Sequence, residues 1–539
     1  MKIINNISKV IWVLLVLFFI SCEENLTELN ENPNAVTVDA ANPNLLLSTV
    51  LTESAKNYLD EGYGELAGVM QHQQKDAWYG GFNNYEWGPD EWSGYYSLLR
   101  TNKDIHELAL EKGLEFHQGV TLVMRAFLFG QIADKWGDAP YINALKGKEE
   151  VRYPSYDSQE TIYQGIIEDL KAASELLSKN RDDYTGITAT TENADVIYSG
   201  DPGKWRKFAN SLLLRYYMRI SHKKDVGSDF ADIVNNQPIF TSIEDDATMD
   251  YLGNSSSDSW PANTVYDGTG GSNFRRRKAC ATMIEALRDR NDPRIGVWFA
   301  RVQVPTVLDN DPENHNETID GVRHLHPDSV NLDNINTNPD YVGIPPSLQE
   351  PSTYNYNPTP GQESYNKHVS FLDDKYREPA GEFLKARLMS YDEVCFLLAE
   401  AAHKGWISGE QNHYENGIRA SLETWGVCDQ YGDYIDHPDV SWDGSLEQLM
   451  TQKWMANWTK AQEAWCDYRR TGFPDISPGP AAQRTVLPVR YIYGNNTRDH
   501  NTQNYQDALN NLEETPFSRD EVDSPWSKPW LLQGTDEPY

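Results

Sequence analysis

Cysteine is scarce in this sequence, and its spacing shows no metal-binding pattern. Five cysteines occur among 539 residues. No two of them form a CxxC pair or have the spacing of zinc ligands, so a zinc site built from thiolates is not expected. Four of them, Cys280, Cys395, Cys428 and Cys466, lie beyond the N-terminal region. This even number permits one or two disulfides as readily as free buried thiols, and the spacing does not choose between them.

Positive charge is also in short supply. The chain has 47 lysines and arginines against 81 aspartates and glutamates, and its formal net charge is −34 at pH 7. A surface this acidic repels phosphate backbones and anionic lipid headgroups, which excludes nucleic acid as a natural partner and makes a charge-driven membrane contact unfavourable. The binding of neutral sugars or peptides would not be affected by this charge.

Long apolar runs are absent beyond the N-terminus. Lys2 and Lys9 precede an apolar run at residues 10–20. This run is shorter than the roughly 20 residues of a membrane-spanning helix. Ser21 and Cys22 follow in the arrangement of a bacterial lipobox, although an ordinary cysteine near an ordinary cleavage site is the alternative. We predict a lipoprotein signal peptide at residues 1–21, a tether at 22–42 with a covalent lipid on Cys22, and one helical domain at 43–539. The lipid alone would hold the chain to the membrane.

Catalytic signatures are missing as well. The chain contains no GxSxG nucleophile elbow, no HExxH zinc motif and no Walker loop. A glycosidase needs a pair of carboxylates, but among 81 acidic residues only geometry could select a working pair. We therefore predict neither an enzyme nor a cofactor, and a surface glycosidase or peptidase stays as the alternative.

One acidic segment partly matches a calcium loop. Asp309, Asp311, Glu313 and Asp320 occupy positions 1, 3, 5 and 12 of such a loop. Asn314 replaces the glycine that the turn requires, however, and no flanking helix is evident. We predict no metal site, with a structural calcium ion as the alternative.

Apolar residues recur at helical spacing in six segments. One stripe of apolar residues ends at Trp136, and a second covers residues 162–177. The two stripes are one loop apart and predict an antiparallel pair of helices. The other segments cover residues 205–220, 391–402, 414–425 and 446–465. A chain this long exceeds one simple core, whereas stacked helix pairs extend a core by addition. We predict a mainly α fold in which tetratricopeptide-like helix pairs form a curved scaffold within a single globule, although no regular 34-residue period is present.

The last helical segment carries three tryptophans and two arginines. Trp454, Trp458 and Trp465 share one face if the helix is continuous, and we assign them to the core. Arg469 and Arg470 are expected to pair with buried carboxylates, because a chain with so many acids readily satisfies its few cations.

Three aromatic-rich segments without helical periodicity separate these helices, at residues 76–92, 249–273 and 305–379. Disordered segments are depleted in aromatics, so we expect ordered loops on one side of the scaffold. Flat aromatic faces suit the CH faces of sugar rings, and Asn and Glu side chains can bond hydroxyls, so these loops predict a platform for glycans or peptides. Filling of gaps beneath the loops is the alternative for any single ring. The predicted ligand contacts are Trp78, Tyr79, Phe82, Tyr85, Trp87, Trp260, Tyr266, Tyr354 and Tyr356.

An ordered set of short motifs resembles the SusD/RagB lipoproteins. The motifs follow the lipobox: NENPN at residues 30–34, RAF at 125–127, WGDAPY at 136–141, WRKFANSL at 205–212, NDPR at 291–294, LLAEAA at 397–402 and EAWCDYRRTG at 463–472. Each motif is weak by itself, but their order covers almost the whole chain beyond the predicted signal peptide.

The resemblance implies a tetratricopeptide-like scaffold on the cell surface, anchored in the outer membrane and facing the exterior. It also implies a SusC-like TonB-dependent transporter as partner, which such a protein covers as a lid. Members of this family bind starch, other glycans or peptides, so the resemblance does not name one ligand. We predict non-catalytic binding of a nutrient polymer, with a glycan favoured over a peptide by the loop composition. A structural or adhesive lipoprotein is a further alternative.

Overall fold

Antiparallel helix pairs build the N-terminal part of the structure. The computed structural model describes residues 42–359, 365–519 and 521–539. The predicted signal peptide, Cys22 and the predicted tether up to residue 41 lie outside the described residues. The helices of this part are α1 (Pro43–Gly62), α2 (Glu65–Val69), α3 (Gly80–Asn84), α4 (Ser93–Glu111), α5 (Glu115–Trp136), α6 (Gln159–Leu176), α7 (Ala189–Ala194), α8 (Pro202–Ile220) and α9 (Gly227–Asn236). As the two apolar stripes predicted, α5 packs against α6.

Side-chain caps explain where two of these helices begin. The Ser158 hydroxyl accepts a hydrogen bond from the Thr161 backbone N–H at 3.2 Å and caps α6. The Asp201 carboxylate accepts from the N–H groups of Gly203 and Lys204 at 2.8 and 3.1 Å, and proline holds the first position of α8. These caps satisfy backbone donors that have no partner within the helix.

A glycine lets α5 and α8 approach closely. A Cβ atom added at Gly130 of α5 would lie 2.0 Å from the Tyr216 hydroxyl oxygen and 2.6 Å from its ring carbon Cζ. Real side chains do not approach so closely, so only glycine fits at this crossing without repacking.

Shorter helices lie in the middle of the chain, and longer ones return near its end. The helices of these parts are α10 (Ser272–Arg275), α11 (Ala281–Asp289), α12 (Ile295–Trp298), α13 (Tyr391–His403), α14 (Glu410–Thr424), α15 (Tyr431–Ile435), α16 (Leu446–Ala456), α17 (Ala461–Thr471), α18 (Asn495–His500) and α19 (Thr502–Leu509). The pairs α13–α14 and α13–α16 are in contact. Residues 44–539 form one compact unit, so the prediction of a mainly α, single-globule fold is confirmed. No helix in the described ranges is both long and apolar enough to cross a bilayer.

The prediction of one continuous helix over residues 446–465 is wrong, because the structure has two helices there. The chain leaves α16 after Ala456 and re-enters a helix at Ala461, with Thr459 between them in the left-handed region at φ +70°. Trp458 therefore lies in the turn, where its indole N–H donates to the Tyr376 hydroxyl at 2.8 Å. All three tryptophans of this segment are buried, so their assignment to the core is confirmed.

Short strands connect segments that are distant in sequence. The strands are β1 (Gln73–Lys75), β2 (Pro89–Asp90), β3 (Ala247–Asp250), β4 (Arg277–Ala279), β5 (Thr306–Leu308), β6 (Thr318–Ile319), β7 (Val322–Leu325), β8 (Lys385–Met389) and β9 (Ile492–Tyr493). Strand β1 pairs antiparallel with β4, β2 parallel with β9, and β3 antiparallel with β8, while β7 lies between β5 and β6. Within the described ranges, the predicted loop segments are thus partly stranded.

A buried ion network ties α1, α8, α13 and α17 together. The Glu463 carboxylate accepts from the Arg219 guanidinium at 2.6 Å and from the Tyr58 hydroxyl at 2.8 Å, and Arg215 Nη1 lies 3.5 Å away. Arg215 also donates to both oxygens of Glu393, at 2.7 and 2.9 Å. Bidentate arginine pairs of this kind hold helices in fixed register.

The two arginines of the closing motif behave differently. Arg470 pairs with the buried Glu400 and with Asp467, as predicted. Arg469 instead donates to the backbone carbonyls of Asp134 and Val489, at 2.7 and 2.9 Å. The prediction of a carboxylate partner was therefore wrong for Arg469, because backbone oxygens reach its guanidinium from two other segments.

The four cysteines of the described residues are free thiols. Three of them, Cys280, Cys395 and Cys466, are buried, and burial raises the pKa of each to about 12. Cys428 is partly exposed. Of the two alternatives left open by the spacing, the structure shows free thiols.

Candidate functional site

The first aromatic segment, residues 76–92, is the aromatic loop, and the β1–β4 pair anchors its start. The Asp76 N–H donates to the Arg276 carbonyl at 3.1 Å. The Asp76 carboxylate lies 3.0 Å from the Lys278 ammonium, and both side chains are buried. Burial raises the pKa of Asp76 and lowers that of Lys278 to about 8, and the attraction between the two charges opposes both changes. This pair fixes the loop rather than contacting solvent.

An asparagine closes the loop into a rigid turn. The Asn83 amide donates to the Lys75 carbonyl at 2.8 Å, and its oxygen accepts from the Lys75 N–H at 2.9 Å. Between these residues Trp78 has φ +56°, a left-handed conformation that is uncommon for a bulky side chain. Such strained residues cluster at ligand sites, where surrounding contacts hold them in place.

Trp78 and Tyr79 are the accessible residues at the tip of the aromatic loop. Trp78 is 71 % exposed, and the Arg276 guanidinium carbon lies 4.8 Å from the centroid of its ring. Tyr79 is half-buried, and its hydroxyl donates to the Gln349 carbonyl at 3.3 Å. The arginine orients the indole by a cation–π contact while most of the ring stays open to solvent.

Four of the nine predicted ligand contacts are buried. Phe82, Tyr85, Trp260 and Tyr354 are between 0 and 5 % exposed, so their rings offer no face to a ligand. Trp260, for example, packs edge-on against Tyr63 with ring centroids 5.0 Å apart. These rings belong to the core because residues distant in sequence cover them, which was the alternative stated for each ring of the loops.

Tyr266 and Tyr356 are accessible but lie in separate surroundings. Tyr266 is 39 % exposed, and its hydroxyl donates to the Gly253 carbonyl at 3.2 Å. Tyr356 is 41 % exposed and packs beside Arg323 of β7, whose guanidinium carbon lies 5.3 Å from the ring centroid. Tyr356 therefore belongs to the surface of the three-stranded sheet.

The arginine over Trp78, its neighbour Arg275 and the tyrosine that Arg275 contacts were not predicted. Arg275 ends α10, and its neighbour Arg276 contacts one face of Trp78. The guanidinium carbon of Arg275 lies 5.8 Å from the ring centroid of Tyr365, which is 49 % exposed. The sequence signal was the run of three arginines at residues 275–277 in a chain poor in cations. We call Trp78, Tyr79, Arg275, Arg276 and Tyr365 the aromatic shelf.

Trp87, at the other end of the aromatic loop, faces a cavity of about 560 Å³. Its half-buried ring stacks on Tyr491 with centroids 4.7 Å apart and planes 15° apart, and its indole N–H donates to the Gly81 carbonyl at 3.1 Å. We call this space the acidic cavity, because six carboxylates line it: Asp60, Glu61, Glu65, Glu86, Asp90 and Glu91. The volume is within the range of small-ligand sites.

The chemistry of the acidic cavity is that of hydrogen-bond acceptors. Desolvation raises the pKa of Asp60 to about 6 and also raises the pKa values of Glu65 and Asp90. The buried Lys135 ammonium lies 2.5 Å from a Glu61 oxygen. Carboxylates beside an aromatic floor can accept hydrogen bonds from hydroxyl or ammonium groups. Within the described ranges, no group of three His, Cys, Asp or Glu side chains is placed to hold a metal ion.

One comparison with known proteins identifies a family. Residues 33–494 match a family model described as SusD-like, starch-binding and associating with the outer membrane. No curated protein matches the chain.

Solved structures show the same fold. A SusD homologue from Bacteroides fragilis is 24 % identical with a TM-score of 0.69, and the match covers 92 % of this chain and all of that one. A SusD/RagB family protein from Bacteroides thetaiotaomicron is 21 % identical over 92 % of this chain and all of its own, with a TM-score of 0.66. A chitin-binding SusD homologue from Flavobacterium johnsoniae is 20 % identical over 91 % of this chain and 99 % of its own, with a TM-score of 0.67.

Proposed function

The chain belongs to the SusD-like family, and from this premise we propose that it binds a nutrient glycan at the outer membrane without cleaving it. The observation that carries the proposal is Trp78, a strained, 71 % exposed indole held by Arg276 at the tip of the aromatic loop. An exposed ring on a rigid support loses little entropy when a ligand binds, and its apolar face suits a sugar ring.

The aromatic shelf also supplies polar groups for a glycan. The guanidinium groups of Arg275 and Arg276 are fixed donors, and Tyr365 adds a second exposed ring beside Arg275. Fixed donors and flat rings together can recognise both the hydroxyls and the CH faces of a pyranose. The family description as starch-binding and a chitin-binding relative support a glycan over a peptide.

The remaining parts of the proposal concern delivery. A lipid on Cys22 holds the chain to the outer membrane with the aromatic shelf facing the exterior, and a SusC-like TonB-dependent transporter receives the glycan. Tethering beside the transporter raises the effective ligand concentration, so dissociation constants from micromolar to millimolar are sufficient. Co-purification with an outer-membrane barrel tests this partnership, and its absence would favour an adhesive or structural lipoprotein.

Calorimetry and native gels containing plant, host and microbial glycans or mixed peptides test the binding itself. We expect one glycan class to bind, and Trp78→Ala to weaken its affinity about 30-fold, because loss of a central aromatic anchor costs about 2 kcal/mol. Leu110→Ala is the matched control, since this side chain is 55 % exposed on α4 and makes no part of the aromatic shelf. Binding of peptides alone would assign the other ligand class, and release of cleaved product would contradict a non-catalytic role.

A further inference from the structure

A second depression shares the lining residue Glu91 with the acidic cavity. Its volume is about 360 Å³, and it opens between residues 152–156 and α18. We call it the tyrosine groove. Its wall includes Trp92, Tyr96, Tyr153, Tyr156, Asn496 and Asn501. Aromatic rings and side-chain amides therefore form part of the lining. Of these six residues only Trp92 lies in an aromatic-rich segment of the sequence, and the family match assigns no role to the groove.

Hydrogen bonds fix the most exposed ring of the groove. The Asn501 amide donates to the Pro154 carbonyl at 2.8 Å, and the Asn504 amide donates to the Tyr153 carbonyl at 3.2 Å. These two bonds hold the backbone of Tyr153 while its side chain is 66 % exposed. A fixed backbone with an exposed ring reproduces the arrangement of Trp78 on the aromatic loop.

The floor of the groove is a packed aromatic cluster. Trp92 contacts Tyr96 and Tyr156, with ring centroids 5.7 and 5.4 Å apart. The Tyr96 hydroxyl donates to the Pro140 carbonyl at 2.6 Å. Because these rings are locked by one another, the floor is formed before any ligand arrives.

Glu91 joins the tyrosine groove to the acidic cavity, since it lines both. Its carboxylate accepts from the Asn496 N–H at 2.9 Å, and it packs so closely on Gly494 that a Cβ there would lie 2.3 Å from the Oε2 atom. The parallel pairing of β2 with β9 places these segments side by side. The acidic cavity and the tyrosine groove therefore share Glu91 as a lining residue.

Two polar side-chain groups of the groove are available to hydrogen-bond a ligand. Within the described part of the chain, the Asn496 amide and the Tyr153 hydroxyl make no hydrogen bond, since their residues bond only through backbone atoms. Neutral amides and phenols match hydroxyl groups, whereas the acidic residues of the wall reduce to Glu91. Arg152 also lines the wall and carries the charge opposite to that of Glu91, so the lining has no excess charge that would favour an ion over an uncharged sugar ring.

We propose that the tyrosine groove is a second glycan subsite, which holds a later part of the same polymer that the aromatic loop binds. The inference rests on the proposed function. Its consequence is selection for chain length: short oligosaccharides fill the aromatic-loop side alone, and longer ones cross Glu91 and gain the contacts with Tyr153.

Calorimetry with two neutral series, maltooligosaccharides and N-acetylchitooligosaccharides from disaccharide to octasaccharide, tests this proposal on the full chain. In the series that binds, we expect affinity to rise with length, and Tyr153→Ala to weaken the longest oligosaccharide about ten-fold while leaving the shortest unchanged. Tyr153→Phe keeps the ring and should retain most of the gain. Trp78→Ala should weaken every length.

Each other outcome overturns the inference in a distinguishable way. Equal affinity for all lengths, or an undiminished gain in Tyr153→Ala, removes the second subsite and leaves the proposed function standing. Normal glycan binding by Tyr153→Ala with reduced co-purification of the transporter would make the groove a protein interface. If neither series binds to the wild type, the second subsite is refuted for maltooligosaccharides and for N-acetylchitooligosaccharides. Binding of another glycan in the wider panel would still support the proposed function. An unchanged melting temperature of Tyr153→Ala shows that the fold is intact.

Discussion

Replacing Glu463 by glutamine should destabilise the protein measurably, because its carboxylate is the shared anion of a buried network. Glu463 of α17 accepts from Arg219 at 2.6 Å and from Tyr58 at 2.8 Å, and it lies 3.5 Å from Arg215. The substitution keeps the size and one hydrogen-bond acceptor but removes the charge. Two buried guanidinium groups then share less negative charge.

The magnitude follows from the partners that remain. Removing one member of a buried ion pair costs about 3–5 kcal/mol. Arg215 keeps Glu393, and Arg219 keeps Asp134, whose Oδ1 lies 3.2 Å from its Nε atom. We therefore expect the lower end, about 3 kcal/mol. At roughly 2.1 cal/mol/K of unfolding entropy per residue and about 500 ordered residues, this lowers the melting temperature by about 3 °C.

The stability lost in Glu463→Gln should decrease as the pH is lowered. Burial raises the pKa of Glu463, but the charges of Arg215 and Arg219 and the hydrogen bond from Tyr58 outweigh burial and hold the pKa below its ordinary range. A depressed folded-state pKa contributes stability that is complete above the unfolded value of about 4.3 and is lost as the pH falls towards the folded value. The difference between wild type and Glu463→Gln should shrink from about 3 kcal/mol at pH 7 to about 1 kcal/mol at pH 3.

Chemical and thermal unfolding followed by circular dichroism at pH 7, 5 and 3 measures this difference. Glu175→Gln is the matched control, because Glu175 is an exposed glutamate on α6, and its loss should change stability by less than about 0.5 kcal/mol. Equal stability of Glu463→Gln and wild type at pH 7 would refute the reasoning. So would a difference that stays constant down to pH 3.

Two further predictions concern packing and thiol reactivity. Gly130→Ala should lower the free energy of unfolding by about 1–3 kcal/mol, because the added Cβ would meet Tyr216. Gly94→Ala on α4 is the control, since no atom lies within 4 Å of the added Cβ, and it should be neutral or stabilise the protein by up to about 1 kcal/mol. Equal effects of the two substitutions in denaturant unfolding would contradict the close approach of α5 and α8. Among the four cysteines beyond Cys22, a thiol reagent at pH 8 should modify Cys428 first and the three buried cysteines only after unfolding, and rapid reaction of all four in the native state would contradict their burial.

Periodicity predicted the helices well because burial of one helical face is a local property of the sequence. The stripe that ends at Trp136 lies in α5, and the stripe at residues 162–177 lies in α6 and packs against it. The same rule failed at Trp458, where helical spacing continues but the backbone turns at Thr459. Spacing reports which residues are apolar and does not report a left-handed residue between two helices.

In the aromatic-rich segments, local sequence did not reveal which rings are exposed. Trp78 and Tyr85 lie in one loop with similar neighbours in sequence, yet Trp78 is 71 % exposed and Tyr85 is fully buried. Residues far away in the chain decide which ring is covered, as Tyr63 does for Trp260. Composition could therefore predict a platform but could not select its rings.

What the sequence by itself determined was the class of protein: ordered family motifs, a helical scaffold and aromatic-rich loops, all of which depend on residue type and local spacing. Only the tertiary structure decided the candidate site. The pairing of β1 with β4 brings Arg276 onto Trp78, and the pairing of β2 with β9 joins the acidic cavity to the tyrosine groove at Glu91. These contacts join residues roughly 200 to 400 positions apart, and such pairings leave no periodic signal along the chain.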